Sequence, residues 1–239
     1  MTNRAVFTVA WVGLALAGCS SAPTPPKARP SAPVMTKERQ TVMTPQEALW
    51  LLKDGNARFV AGQPLRRDLP QQARATAEGQ YPFAAVVSCL DSRVSPELVF
   101  DQGLGDIFSA RVAGNVLNED IIGSLEFATQ LAGAKLIVVV GHSACGAVKS
   151  ACTPAELGHL TQLLNKIEPA VQAKKFSVGG EADKPDAAFV DEVARENVRL
   201  MVRRLLEESP ILKGRVERGE LKVVGAFQDL STGRIQILD

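Results

Sequence analysis

The chain mixes short continuous apolar runs with longer segments in which apolar residues recur at helical spacing. Short apolar runs are typical of strands buried on both faces. They predict strands at residues 83–88, 107–111, 135–140, 221–227 and 234–238. Helical spacing predicts helices at residues 45–62, 68–78, 120–132, 145–151, 154–174 and 186–208. Strands that alternate with helices indicate a single α/β domain with a mainly parallel central sheet flanked by helices.

In the first 18 residues Arg4 is the only charged side chain, and it is followed by an apolar segment of 14 residues, Ala5 to Gly18. This segment is too short to cross a hydrocarbon core of about 30 Å, so it is predicted to be an export signal. It ends in Leu16-Ala17-Gly18-Cys19, which resembles the lipobox of bacterial lipoproteins. The resemblance implies that residues 1–18 are a lipoprotein signal peptide and that Cys19 is acylated. A plain secretory signal and an uncleaved anchor are the alternatives.

Residues 19–44 are rich in proline, which favours extended chain over a packed core. We therefore predict a tether that joins the lipidated Cys19 to a folded domain at residues 45–239. Such a protein would be an exported lipoprotein on the periplasmic side of a membrane. Ser20 and Ser21 follow Cys19, with no Asp beside it, and this pattern favours the outer membrane under the enterobacterial sorting rule.

The amino-acid composition argues against two classes of protein, nucleic-acid-binding proteins and small disulfide-rich scaffolds. The 239 residues include 46% hydrophobic side chains, enough for one core-forming domain. The 27 basic and 26 acidic residues leave a net charge of +1, and aromatic residues make up only 5%, so we expect no nucleic-acid partner. Four cysteines in a chain of this length do not indicate a disulfide scaffold.

Soft metal ligands follow two of the predicted strands. Cys89 comes directly after strand 83–88, and His142 and Cys145 come after strand 135–140. If these strands are neighbours, the three side chains meet at the carboxyl end of the sheet, where ligands bind in open α/β folds. Two thiolates and an imidazole are three ligands for Zn²⁺, and an open fourth position is typical of a catalytic zinc site. The alternatives are separately packed cysteines or a Cys89–Cys145 disulfide.

The segments Cys89-x-Asp91-Ser92-Arg93 and His142-x-x-Cys145-Gly146 together resemble the β-class carbonic anhydrases. The resemblance covers about residues 45–239 and continues through segments 100–108, 111–115 and 123–128. It implies a four-stranded, mainly parallel sheet and one Zn²⁺ per subunit. It also implies a homodimer or higher homo-oligomer with active sites near the subunit interface.

The same resemblance assigns the central roles of the site. Cys89, His142 and Cys145 match the zinc ligands of the family. Asp91 and Arg93 match its catalytic acid–arginine dyad. The implied reaction is the reversible hydration of CO₂ to bicarbonate and a proton, by attack of zinc-bound hydroxide on CO₂. In this scheme Asp91 orients the hydroxide, and Arg93 keeps Asp91 off the metal.

The substrate contacts implied by the resemblance come from other parts of the chain. Gln80 matches a glutamine that orients bicarbonate, and its presence favours the form in which Asp91 stays off the metal. The backbone N–H of Gly146 matches a second contact with substrate. Phe108 and Phe127 match apolar wall positions.

Two other functions are compatible with these motifs. One is a same-fold hydrolase that acts on carbonyl sulfide or carbon disulfide at a similar zinc site. The other is a surface lipoprotein without enzymatic activity, which binds zinc or contains a Cys89–Cys145 disulfide. Cys152 lies outside the motifs and is predicted to be a packed free thiol.

Overall fold

The computed structural model describes residues 31–153, 156–178 and 185–238. The predicted signal peptide, Cys19 and the first part of the predicted tether lie outside the described residues. The described chain contains one five-stranded sheet with strand order β2-β1-β3-β4-β5. The strands are β1 (Ala84–Ser88), β2 (Ile107–Arg111), β3 (Leu136–His142), β4 (Lys222–Gln228) and β5 (Ile235–Leu238).

The sheet is mainly parallel, as predicted. β1 pairs in parallel with β2 and β3, and β3 pairs in parallel with β4, whereas β5 returns antiparallel to β4. The four-stranded sheet implied by the family resemblance is therefore extended by one antiparallel strand. A tight turn allows this return: Asp229 accepts hydrogen bonds from the N–H groups of Ser231 and Thr232, and Gly233 adopts a φ of 71°.

Helices pack on both faces of the sheet. They are α1 (Lys37–Val42), α2 (Pro45–Val60), α3 (Leu69–Thr76), α4 (Pro96–Val99), α5 (Glu119–Glu126), α6 (Gly146–Ala151), α7 (Gly158–Leu164), α8 (Glu168–Val178), α9 (Ala187–Glu208) and α10 (Pro210–Glu217). A π-helical turn, Phe127–Leu131, continues α5. Among the described residues, no helix has both the length and the apolar character needed to cross a membrane.

Two hydrophobic layers enclose the sheet, and β1 contributes alternate residues to each. Ala85, Val87 and then Cys89 belong to the layer that includes residues of α5, α6, α8 and α9. Ala84 and Val86 belong to the opposite layer, which includes residues of α2. Because side chains alternate along a strand, residues in the apolar run of β1 are buried on both sides. Cys89 thus continues into the core on the α9 side.

The predicted single helix at residues 154–174 is wrong, because the chain forms two helices there. α7 ends at Leu164, and α8 begins at Glu168. Pro169 explains the break, since proline has no N–H to continue a helical ladder and restricts the residue before it. It is tolerated at the start of α8, where the first N–H groups need no partner within the helix.

Residues 31–44 differ from the predicted tether because they pack into the folded domain. The buried Gln40 side chain of α1 donates hydrogen bonds to the carbonyls of Pro82 and Ala132, both at 2.7 Å. Met35 is buried in the core on the α2 side, and its N–H donates to Asp106. The domain that contains the sheet therefore includes residues 31–44 and is not limited to residues 45–239.

We expect Gln40→Ala to lower the free energy of unfolding by about 1–3 kcal/mol, because it leaves the Pro82 and Ala132 carbonyls without their donor. The measurement is denaturant unfolding of the protein. Thr41→Ala is the control on the same helix, since Thr41 is exposed and bonds only its own helix. Equal stabilities of the two variants would mean that residues 31–44 are a tether after all.

Candidate metal centre and its surroundings

The register of β1 against β3 brings the three predicted ligands together. Ser88, the last residue of β1, pairs with Val140 of β3. Cys89 follows directly, and His142 ends β3 two residues beyond Val140. Cys145 is the N-cap residue of α6. Their exposed fractions are 4% for Cys89, 0% for His142 and 1% for Cys145, so all three side chains face one buried point.

The donor atoms of these three residues are close enough to share one ion. The two sulfurs and the imidazole nitrogen all lie within 4.8 Å of one another. The Sγ atoms of Cys89 and Cys145 are 4.0 Å apart, and both cysteines are free thiols. The alternative of a Cys89–Cys145 disulfide is therefore wrong for this structure. Within the described ranges, no carboxylate or further His or Cys joins this donor group.

The orientation of His142 supports a metal ligand. Its Nδ1 lies 2.9 Å from the Ser143 carbonyl oxygen, and since a carbonyl only accepts, Nδ1 carries the proton. Nε2 is therefore the atom with a free lone pair. It is buried and has no hydrogen-bond partner among the described residues. An unpaired buried acceptor is costly, and a cation between the two sulfurs would satisfy it.

The two thiols differ in acidity. The hydrogen bond from Cys145 lowers the pKa of Cys89 to about 4, helped by His142 and by the N–H groups of Asp91 and Gly114. The same hydrogen bond, together with burial, raises the pKa of Cys145. The pair thus holds one negative charge readily, and a bound cation is needed to stabilise the second thiolate.

Asp91 and Arg93 form a two-point ion pair beside the donor group. Arg93 Nε donates to Asp91 Oδ1 at 2.9 Å, and the second guanidinium nitrogen donates to Oδ2 at 2.8 Å. The Arg93 backbone N–H also donates to Oδ1. The hydrogen bonds from Arg93 hold the pKa of the Asp91 carboxyl well below its usual range. Arg93 therefore engages both carboxylate oxygens of Asp91.

Arg111, at the end of β2, is a structural support that sequence reasoning missed. Its guanidinium donates to the carbonyls of Cys89, Leu90 and Asp91, at 3.2, 3.0 and 2.6 Å. The Gly114 N–H donates to Cys89 Sγ at 3.4 Å. The available signal was that Arg111 ends a predicted strand, 107–111, and begins segment 111–115 of the family resemblance. Its long-range backbone contacts have no local signature.

Of the predicted substrate contacts, Gly146 lies beside the donor group, whereas Gln80 lies far from it. Gly146 is the first residue of α6, directly after Cys145, and a side chain there would meet open space. Gln80 is exposed and precedes β1, whereas Cys89 follows it. Since five strand residues span about 16 Å, Gln80 lies at the opposite end of β1 from the donor group.

Phe108 and Phe127 lie together but also away from the donors. Their ring centroids are 6.4 Å apart in an edge-to-face arrangement. They line a cavity of about 790 Å³ beside β1 and β2. Phe108 pairs with Ala85, four residues before Cys89, which corresponds to about 13 Å along the strand. A single chain therefore does not bring Gln80, Phe108 or Phe127 to its own Cys89.

Comparison with known proteins identifies the family. The family model described as carbonic anhydrase matches residues 84–235. A carbonic anhydrase of Mycolicibacterium smegmatis is 38% identical over 197 residues, which cover 80% of this chain and 92% of that protein. A carbonic anhydrase of Pseudomonas aeruginosa is 32% identical, over 78% of this chain and 86% of that one.

Solved structures show the same fold. The β-carbonic anhydrase CafA of Aspergillus fumigatus superposes with a TM-score of 0.63 at 26% identity, covering 81% of this chain and 90% of that one. The Coccomyxa β-carbonic anhydrase gives a TM-score of 0.62 at 27% identity, covering 69% and 75%. The chain therefore belongs to the carbonic anhydrase family, in its β class. These relatives do not favour the alternative of a carbonyl sulfide or carbon disulfide hydrolase.

We expect Arg93→Met to raise the pKa of the Asp91 carboxyl towards the usual aspartate range, because the variant loses the side-chain donors of Arg93. In the wild type, this ion pair stabilises the fold above the usual aspartate pKa and is lost as pH falls through the lowered value. Carboxyl NMR titration measures the change. An unchanged Asp91 pKa in the variant would show that Arg93 does not set its ionisation.

Proposed function

We propose that the protein catalyses the zinc-dependent, reversible hydration of CO₂ to bicarbonate and a proton. One observation carries this proposal: Cys89, His142 and Cys145 converge on one buried point, with the His142 Nε2 lone pair unpartnered. Thiolate and neutral imidazole are typical zinc ligands, and three protein ligands with an open position are typical of catalytic zinc. Bound zinc would supply a Lewis acid that makes water nucleophilic near neutral pH.

Asp91 and Arg93 position the reactants. The Arg93 ion pair keeps Asp91 ionised, so its carboxylate accepts a hydrogen bond from the attacking O–H group rather than taking its proton. With zinc held by Cys89, His142 and Cys145, this acceptor would orient the nucleophile towards CO₂. Arg93 also prevents the carboxylate from swinging onto the donor group, which would block the reaction. We propose the N–H of Gly146 as a contact for bicarbonate, because Gly146 directly follows Cys145 and faces open space.

We expect Cys89→Ser to lose stoichiometric zinc and to reduce CO₂ hydration at least a hundredfold, because it removes one of three ligands. Zinc analysis and stopped-flow hydration assays measure the two effects. Cys152→Ser is the matched control, since Cys152 is also a buried free thiol but is not in the donor group. Full activity of Cys89→Ser, or equal zinc loss in both variants, would contradict the proposed site.

We further propose that the active enzyme is a homodimer or a higher homo-oligomer built from such dimers. The described chain separates Gln80, Phe108 and Phe127 from its own donor group. β2 is an edge strand of the sheet, and the cavity lined by Phe108 and Phe127 lies beside it. Phe127 is 50% exposed, and an exposed apolar side chain of this size favours a subunit interface at this edge. If a second copy of the chain packs at this edge, Gln80, Phe108 and Phe127 of one subunit would reach the donor group of the other.

Mixed dimers test this arrangement. A Cys89→Ser chain co-expressed with a Gln80→Ala chain should form heterodimers with about half of the wild-type activity per dimer, because one of the two sites keeps all its residues. Each variant homodimer should be less active than the heterodimer. A heterodimer with half the activity of the Gln80→Ala homodimer would show that Gln80 does not act across the interface.

For localisation, we propose an exported lipoprotein that is held by acylated Cys19 on the periplasmic side of a membrane, with the outer membrane favoured. The support is the Leu16-Ala17-Gly18-Cys19 sequence after an apolar segment. Stable anchoring needs more than one acyl chain, as lipoproteins carry.

Cys19→Ser should shift the protein from the membrane fraction to the soluble fraction in cell fractionation, and an unchanged distribution would refute the anchor.

A further inference from the structure

The loop between the second and third metal donors contains an unfavourable backbone conformation. Ala144 lies between His142 and Cys145 and has a φ of 52°. This left-handed region is disfavoured for residues with a Cβ atom. Asn and Asp tolerate it because their side chains bond the local backbone, but alanine has no such group. The surrounding structure must therefore hold Ala144 in place.

Asp191 of α9 supplies such a contact. Its Oδ1 accepts a hydrogen bond from the Ala144 N–H at 2.9 Å, across 47 residues of sequence. Asp191 is only half-buried, and it does not belong to the donor group. Its neighbour Glu192 instead lies near Lys174 and Arg195. The Asp191 carboxylate is thus directed at the loop between His142 and Cys145, whereas the Glu192 carboxylate pairs with other side chains.

Ala144 directly precedes Cys145, so its backbone angles set where the Cys145 sulfur lies. The other end of the loop is fixed independently: the Ser143 N–H donates to the Gln228 carbonyl, and Ser143 Oγ accepts from the Leu230 N–H. If Ala144 relaxed to a negative φ, Cys145 would turn relative to His142. The distance between the two donors therefore depends on the Ala144 conformation.

We propose that Asp191 is a positioning residue, which holds Ala144 in its left-handed conformation and so sets the Cys145 sulfur for metal binding. This inference rests on the proposed function, because it assumes that the donor group binds zinc. Asp191 acts through the Ala144 peptide and is not one of the three donors. Contacts that orient metal ligands typically change metal affinity or activity by about 10- to 100-fold when removed.

The test is zinc affinity, measured by competition of the metal-free protein with a chromophoric chelator. Asp191→Ala should bind zinc about tenfold more weakly or worse. Asp191→Asn keeps an oxygen acceptor and should stay within about threefold of wild type. Glu192→Ala, which removes the neighbouring carboxylate, should match wild type. Thermal unfolding of each metal-free variant checks that the fold is retained.

A second substitution separates positioning from a general structural role. Glycine adopts positive φ without a Cβ penalty, so Ala144→Gly in the Asp191→Ala background should recover most of the lost zinc affinity. Wild-type affinity in Asp191→Ala, or no recovery in the double variant, would overturn the inference alone. A wild-type protein that binds no zinc would overturn the proposed function as well, so the two failures are distinguishable.

Discussion

The parallel pairing of β1 with β3 is the constraint on which the rest of the site depends. Neither strand carries more than part of the donor group, because Cys89 follows β1 while His142 and Cys145 lie at and beyond the end of β3. The Ser88–Val140 register places these ends side by side. A shift of one residue would turn Cys89 or His142 to the opposite face of the sheet. The apolar layers that bury both strands therefore also fix the metal geometry.

The charges of the donor group and of Asp91 then determine whether this buried point binds a cation. Two sulfurs that share one proton, next to an unpaired imidazole nitrogen, favour a divalent cation. Asp91, two residues after Cys89, carries a carboxylate that would compete for that cation, and Arg93 engages both of its oxygens. Arg111 fixes the backbone that carries Cys89 and Asp91. The site thus combines a rigid donor set with a carboxylate that is charged but restrained.

The sequence predicted the parts of the fold that have a local signature. Strands β1 and β3 were evident because their residues are apolar without interruption, and their carboxyl ends led to the donor residues. Residues 31–44 were misassigned because their composition is typical of a tether, whereas the contacts of Gln40 with Pro82 and Ala132 join distant segments. The same limit applies to Arg111 and Asp191, whose partners are backbone groups. Such partners depend on tertiary structure and leave no motif in the sequence.

The most direct test of the central claim is X-ray absorption at the zinc edge of the purified protein. The account predicts two sulfur scatterers at about 2.3 Å and one imidazole nitrogen at about 2.0–2.1 Å, with one further light atom completing the shell. The Cys89–His142–Cys145 group supplies the first three ligands. A shell with three or more sulfurs, with no imidazole, or with no zinc in stoichiometric amount would contradict the account.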